Sequence, residues 1–362
     1  MPEDIYKIFK EETKVLVTGG AGFIGGCFIR RLLNNTNAKI FNLDKLSYAS
    51  DLSWLNYSNN KDNFKLININ LKDSDAVIRA LKDANPDYVI HLAAESHVDR
   101  SIDNPSSFIE SNIVGTFNLL NAVKIHFKNL NHERKNNFRL LHVSTDEVYG
   151  SLGSTGFFSE STPYDPRSPY SASKAASDHL VNAWHHTYDL PILLTNCSNN
   201  FGPYQFPEKL IPLIINKAIN KNEIPIYGDG LNVRDWLFVE DHIDALLKVI
   251  SFGNIGKCYC VGGFGEKNNL EIVKNICEIL DSSFRRDFNH ESLIKFVKDR
   301  PGHDKRYSID SSLIQKELNW KPKTDFSSNL KFTVNWYLQN TKWIENVLTK
   351  SDYLGTRLGT NF

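Results

Sequence analysis

The chain has 362 residues with 41% apolar and 23% charged side chains, and its 42 Lys plus Arg balance 42 Asp plus Glu. At roughly 100–200 residues per domain, that length holds two or three domains or one large two-lobed unit, and the composition excludes collagen-like and disordered classes. Zero formal net charge gives no general attraction to nucleic acid or an anionic membrane surface and leaves room only for a local basic pocket that takes a small anion.

The acidic start, Met1-Pro2-Glu3-Asp4, lacks the basic-then-apolar pattern of a secretory signal. The apolar pattern then predicts a buried strand over 14–18, a helix over 23–34, strands over 39–44 and 64–69, a helix over 74–82 and a strand over 87–92. A long helix follows over 105–127, then a solvated polar loop over 126–137, a strand over 138–144, a helix over 168–188 and a strand over 192–196. Strands alternating with helices imply a parallel sheet covered on both faces, and right-handed crossovers make it doubly wound. Beyond Cys197 the pattern loosens into a loop over 198–206, a helix over 208–220, a short strand and turn over 224–236, a helix over 270–280 and a charged, irregular stretch over 283–302. The expected fold is therefore α/β: a Rossmann-like doubly wound sheet from 14–200 with 236–264, and a smaller, discontinuous α/β lobe from 201–235 with 265–345.

No apolar run reaches the roughly 18 residues of a membrane-spanning helix. The five scattered cysteines form no CxxC pair and read as reduced thiols in a cytoplasmic protein. Cys258-Tyr259-Cys260 alternates like a strand, with both thiols on one face, and His185-His186 has no partnering carboxylate or thiol, so no metal site is expected.

Chemistry enters with Thr18-Gly19-Gly20-Ala21-Gly22-Phe23-Ile24-Gly25, between the first strand and the first helix. Gly19 permits a tight turn, Gly22 lets a pyrophosphate approach the backbone, Gly25 lets the helix pack on the strand, and the helix N-terminus favours the negative charge. Asp44 closes the second strand 19 positions after Gly25, where a carboxylate accepts from ribose hydroxyls and repels a 2′-phosphate, so NAD is expected over NADP. Tyr170 and Lys174 form a Y-x-x-x-K pair on one face of the predicted helix. A phenol titrates near pH 10, and a nearby cation favours its phenolate. Alone, such a pair is commonly just exposed. Ser144-Thr145-Asp146-Glu147 ends the fifth strand, at the edge where open α/β sheets bind ligands, and two carboxylic residues with a hydroxyl suit acid–base work there.

Longer strings carry a resemblance: TGGAGFIG (18–25), LDKLSYAS (43–50), HLAAESHVDRSI (91–102), STDEVYG (144–150), SPYSASKAASDH (168–179), CSNNFGPYQFPEKLIP (197–212), YGDGLNVRDWLFVEDH (227–242) and DRPGHDKRYSID (299–310). In this order, over nearly the whole chain, they resemble the extended short-chain dehydrogenase/reductase superfamily and, within it, the dTDP-glucose 4,6-dehydratases. The resemblance implies a hydro-lyase of deoxysugar biosynthesis, such as the rhamnose route, with tightly bound NAD. It forms dTDP-4-keto-6-deoxy-glucose by transient oxidation at C4, loss of water across C5–C6 and hydride return to C6. It implies Tyr170 as base for the 4-hydroxyl, Thr145 as its hydrogen-bond partner, Lys174 on the ribose, Glu147 as the C5 base and Asp146 as the acid for the leaving C6 hydroxyl. Gly19, Gly22, Phe23, Ile24, Gly25, Asp44, Lys45, Asn70, Leu71, Leu92, Ala93 and Ala94, with Tyr170 and Lys174, are the implied cofactor contacts. Ser96, Asn200, Lys209, Tyr227, Arg234, Asn269 and Arg306 are the implied substrate contacts, with Arg suited to bidentate phosphate binding. His97 is either on the substrate side or a satisfied histidine behind it.

Two positions depart from the family pattern: Asn70-Leu71 stands where Asp-Ile is usual, and Asn196 where an Arg often precedes the Cys-Ser-Asn-Asn string. The two long apolar helices imply a homodimer. Three alternatives stand beside this reading: a 4,6-dehydratase acting on another nucleotide-glucose such as UDP-glucose, a nucleotide-sugar 4-epimerase, and a non-catalytic NAD-binding sensor. Epimerisation needs neither a C5 base nor a C6 acid, so Asp146-Glu147 separates the first from the second.

Overall fold

The computed structural model describes residues 4–283, 287–351, 353, 358 and 359. The strands are β1 (Lys14–Thr18), β2 (Lys39–Asp44), β3 (Phe64–Asn68), β4 (Tyr88–His91), β5 (Arg139–Thr145), β6 (Ile192–Cys197), β7 (Asn199–Phe201), β8 (Ile224–Tyr227), β9 (Val233–Phe238), β10 (Cys258–Val261), β11 (Glu266–Asn268) and β12 (Ile294–Val297). Seven of them form one sheet in the order β10-β6-β5-β4-β1-β2-β3, and every pairing in it is parallel. The expected α/β fold with a doubly wound Rossmann-like sheet is the observed one.

β1 shows why this sheet is buried. Its side chains alternate between faces, so Val15 and Val17 enter one core with Phe28, Leu32 and Ile243, while Leu16 enters the other with Val77, Leu119 and Val181. Helices Phe23–Asn35 and Val239–Phe252 cover the first face. Helices Ser74–Ala84, Gly115–Asn129 and Pro169–Tyr188 cover the second. β2 and β3 follow on one side of β1, and the chain then crosses over to β4 on the other, which opens a crevice at the carboxyl ends of β1 and β4. A third core, around Phe201, Ile214, Ile226, Ile276 and Val334, lies beneath two small sheets, β11-β9-β7 and β12-β8. Residues 284–286 of the expected lobe lie outside the described residues.

Several expectations need correction. The helix expected over 105–127 is interrupted: helix Pro105–Phe108 passes through a π-helical turn, Ile109–Val114, into Gly115–Asn129. The stretch 126–137 is not a solvated loop. His126 is buried and its Nε2 donates to the Pro86 carbonyl at 2.8 Å, and His132–Asn137 is a helix capped by Asn131. Arg134 on that helix bonds Asp87, Asn85 and the Pro86 carbonyl, which makes a polar run structural. The loop over 198–206 contains β7, and the irregular stretch over 283–302 contains β12. Ile314, Leu318 and Trp320, expected in the smaller lobe, are buried in the first core of the large sheet, where Trp320 donates its indole N–H to the Asp241 carbonyl at 3.1 Å. Cys258 and Cys260 do share a face, their thiols meeting Asn196 and Tyr149.

Arg134→Ala is expected to destabilise the fold by about 1–2 kcal/mol, because it strands a set of part-buried acceptors. Asn136→Ala, on the exposed side of the same helix, is expected to stay within about 0.5 kcal/mol. Denaturant unfolding of both variants checks the contrast.

Candidate active site

The crevice beside β1 is a cleft of about 300 Å³. The glycine loop forms its floor. Gly19 has φ +74°, and a Cβ there would lie 2.7 Å from the Ala93 backbone. A Cβ on Gly25 would lie 2.3 Å from the Gly19 carbonyl oxygen. Gly22 is the N-cap of helix Phe23–Asn35, with no side-chain cap and no acidic residue in the first turn. That combination leaves helix N–H groups and the positive dipole end for an anion. Asp44 binds this loop to the end of β2: it accepts from Ala21 N at 2.9 Å, Leu46 N at 2.8 Å and Ser50 Oγ at 3.3 Å. A carboxylate has roughly four acceptor sites, so capacity remains for a ribose hydroxyl. The whole expected cofactor set lines this one cleft: the glycine loop residues, Asp44, Lys45, Asn70, Leu71, Leu92, Ala93, Ala94, Tyr170 and Lys174. Lys45 is partly engaged there, donating to Glu95 at 2.5 Å and Ser111 at 3.1 Å. A backbone cradle closed to a Cβ at Gly19 and Gly25, an unopposed helix N-terminus and a carboxylate at the second strand end fit a dinucleotide.

The acid–base residues meet at the far end of the cleft. β5 stops at Thr145, whose side chain caps a single 3-10 turn, Asp146–Tyr149, by accepting from Glu147 N at 3.3 Å. Gly150 ends that turn at φ +86°. Ser168 caps the next long helix in a reciprocal pair with Ser171, with Pro169 in the first turn, so Tyr170 projects from a rigid first turn and Lys174 from the turn that follows it. Lys174 is buried and donates to the Val143 carbonyl at 2.9 Å, and burial lowers its pKa. Tyr170 lies beside Thr145 and Glu147, and burial holds its phenol well above the usual range.

The two carboxylic residues have different surroundings. Asp146 is fully buried, with one oxygen near Thr145 Oγ1 and the other without a partner. Burial pushes it well above the carboxylate range, the charges of Glu147 and Asp235 add to this, and Arg234 opposes it. Asp235 is itself pushed up to about 6 by burial. Glu147 is also raised by burial, but Arg300, Arg234 and Lys209 all pull it down. Asp146 is therefore the group held protonated, and Glu147 the one favoured as carboxylate.

Of the expected substrate set, Ser96, Asn200 and Lys209 line the cleft with Thr145 and Glu147. Arg234 lies beyond them, donating to the Val233 and Asp304 carbonyls while stacked 4.2 Å over Tyr307. Tyr227 donates to Asp99 at 3.1 Å. Asn269 begins a helix and Arg306 is paired with Glu266 through two 2.8 Å bonds; neither lines the cleft. His97 is a buried N-cap with a pKa lowered to about 4 by burial, its Nε2 on the Glu208 carbonyl. It does not line the cleft, and it is only half satisfied, since its Nδ1 is buried without a partner.

Sequence reasoning missed three residues. Arg300, held by Asp99 at 2.6 Å, adds a third cation facing Glu147; it sits inside a quoted string, and only its neighbour Arg306 was singled out. Asn112, turned inward by the π-helical segment, bonds Glu95 and Ser173 Oγ; such turns recur at functional sites. Asp178, wholly buried, accepts from His142 Nε2 at 3.0 Å, Ser144 Oγ at 2.7 Å and Tyr164 at 3.0 Å, joining the Tyr170 helix to the end of β5. Asn196 completes this set, donating to the Thr145 carbonyl and accepting from Tyr149 and Cys258. Its departure from the family pattern thus supports the catalytic strand end.

A model of the GDP-mannose 4,6 dehydratase family matches residues 16–333. A dTDP-glucose 4,6-dehydratase of Xanthomonas campestris is 52% identical over 346 residues, 95% of this chain and 98% of that protein. Among solved structures, the dTDP-glucose 4,6-dehydratase of Bacillus anthracis in complex with NAD superposes with TM-score 0.81 at 39% identity, covering 93% of this chain and all of the other. DesIV, a dTDP-glucose 4,6-dehydratase from Streptomyces venezuelae with NAD bound, gives 0.83 at 40%, covering 92% and 99%.

Asp178→Asn removes a buried acceptor from a set of donors and is expected to destabilise the protein by about 1.5–3 kcal/mol, read by denaturant unfolding.

Proposed function

Because the chain belongs to the dTDP-glucose 4,6-dehydratase family of the extended short-chain dehydrogenases/reductases, we infer that it is a hydro-lyase that converts dTDP-glucose to dTDP-4-keto-6-deoxy-glucose on tightly bound NAD. One observation carries the chemistry: two adjacent carboxylic residues beside Tyr170, of which Asp146 is pushed well up by burial while three cations pull Glu147 back down. In this reading residues 14–200 with 236–264, joined by the 314–320 segment packed on their core, hold the cofactor, and the rest of 201–235 with 265–345 holds the nucleotide sugar.

NAD, when bound, supplies a hydride acceptor at C4, a hydride donor at C6 and a positive ring charge that favours the Tyr170 phenolate. The glycine loop and its helix receive the pyrophosphate, Asp44 and Lys174 the riboses, and Asn70 with Leu71 the adenine side. Thr145 orients the sugar 4-hydroxyl and Tyr170 takes its proton on the phenolic oxygen. The resulting 4-ketone acidifies C5–H. Glu147 takes that proton, and Asp146 delivers its own to the C6 hydroxyl, which leaves as water. Lys209, Arg234 and Arg300 face the diphosphate, with Ser96, Asn200, Tyr227 and Asn269 on the rest of the nucleotide sugar. Arg306 acts one layer back, through Glu266.

The protein works as a homodimer in this reading. The segment over 105–129 exposes Ile109 (45%), Val114, Phe117 (42%) and Ile125, and Tyr188 from the neighbouring helix joins them. A four-helix contact between two copies would cover these side chains. The cytoplasm is its compartment: NAD and nucleotide sugars are made there, and the five free thiols suit a reducing medium. No helix among the described residues is long and apolar enough to cross a membrane.

Incubation with dTDP-glucose, without added NAD, is expected to give a product lighter by one water in mass spectrometry. Reaction of UDP-glucose alone would move the base preference, and conversion to the galactose isomer at unchanged mass would replace the dehydratase by an epimerase. Glu147 must be ionised to act, so kcat falls as pH drops through its raised pKa. Lys209→Met removes one of the cations that lower that pKa. The acid limb of the kcat profile is therefore expected to move to higher pH, and an unmoved limb would contradict the pairing.

A further inference from the structure

Glu208 has no part in the chemistry above, yet its side chain is only 3% exposed at the mouth of the cleft. One carboxylate oxygen accepts from the Tyr48 hydroxyl at 2.7 Å, and the other from Arg100 Nε at 2.7 Å. The Arg100 guanidinium lies 3.8 Å over the Tyr48 ring, and Phe206 packs edge-on against that ring with centroids 5.5 Å apart. One residue further on, Lys209 Nζ donates to the Ser96 carbonyl at 2.6 Å.

These groups come from three stretches distant in sequence. Tyr48 follows β2 and Asp44, Ser96 and Arg100 follow β4, and Phe206 to Lys209 lead into helix Leu210–Ile219 of the second lobe. Tyr48, Phe206, Glu208 and Lys209 line the same cleft as the glycine loop and Asp44. A single buried carboxylate therefore joins the loop beside the cofactor cradle to the substrate lobe, with a charge-assisted bond on one oxygen and a cation stacked on the ring bonded to the other.

We infer that Glu208 is a positioning residue that latches the wall of the cleft and keeps NAD in place through the reaction cycle. The inference rests on the reading of NAD as the resident cofactor. The reaction has no net redox change, so the hydride taken from C4 must return to C6 of the same sugar. Departure of the cofactor between the two transfers would leave an oxidised sugar and an enzyme unable to finish. Such a cycle requires a slow exit, and the Tyr48–Glu208–Arg100 set ties together two stretches of the cleft wall, one from each lobe.

Two variants test it. Glu208→Gln keeps the size but leaves a single acceptor oxygen, and Tyr48→Phe removes one hydroxyl and nothing else. Isotope-labelled NAD is mixed in excess with each purified holoenzyme, and exchange of the bound cofactor is followed by mass spectrometry of the nucleotide released on denaturation. Thermal midpoints are recorded alongside. Both variants are expected to exchange NAD about tenfold faster than wild type, as loss of a buried bond to a charged group allows, and dilution without added NAD should cost them turnover that added NAD restores. A merely structural role would lower the thermal midpoint and leave the exchange rate alone. Exchange at the wild-type rate in Tyr48→Phe and in folded Glu208→Gln overturns the latch; if Glu208→Gln does not fold, Tyr48→Phe decides. Wild-type protein that carries no NAD and takes up none overturns the cofactor reading beneath it, a result separate from failure of the latch.

Discussion

Desolvation of two neighbouring carboxylic residues at the end of β5 is the constraint around which the site is arranged. Burial alone favours the neutral form of both. Asp146 sits with an unpartnered oxygen, near Glu147 and the buried Asp235, and stays a neutral acid. Glu147 looks toward Arg300, Arg234 and Lys209, all three of which favour its ionised form. The asymmetry comes from the second lobe, which supplies these cations from three different stretches. An acid and a base can then stand side by side in sequence at one pH, which is what elimination across C5–C6 needs and simple oxidation does not.

The rest of the architecture fixes these groups against one another. The parallel sheet ends β1, β4 and β5 at one edge, so the glycine cradle, the small residues after β4, and Thr145 with Glu147 open into one cleft, with Asp146 buried directly behind them. Asp178 and Asn196 join the Tyr170 helix, β5 and β6 behind that edge, through bonds from His142, Ser144 and Tyr164. Burial lowers the pKa of His142, so it meets Asp178 as a neutral donor. A site that moves protons among several groups requires their spacing to survive each change of charge, and this hydrogen-bonded backing provides it.

Much of this was legible in the amino-acid sequence because period and spacing are local. β1 and β2 are short, largely apolar runs, the first helix has an amphipathic period, and the glycine loop and Tyr170–Lys174 pair are set by short-range geometry. The less legible parts depend on partners far along the chain. The helix expected over 105–127 contains no residue that announces a π-helical turn; the turn is stabilised by Asn112 reaching Glu95 and Ser173. The polar run over 126–137 looks solvated until Arg134 is seen between Asn85 and Asp87. Arg306 and Arg300 look equivalent in one string, yet Glu266 takes the first, while Asp99 holds the second where its charge acts on Glu147. Glu208 carries no signature, since a carboxylate becomes a latch only when Tyr48 and Arg100 arrive from elsewhere.

The most direct test of the account separates the two carboxylic residues by what each does to the sugar. Glu147→Gln and Asp146→Asn are incubated with dTDP-glucose in D₂O, and deuterium at C5 and loss of water are read by mass spectrometry and NMR. The account predicts C5 deuteration without dehydration in Asp146→Asn, because the base remains, and neither event in Glu147→Gln. Deuterium at C5 in Glu147→Gln, or its absence in a folded Asp146→Asn that still oxidises C4, would contradict the assignment of the two proton roles.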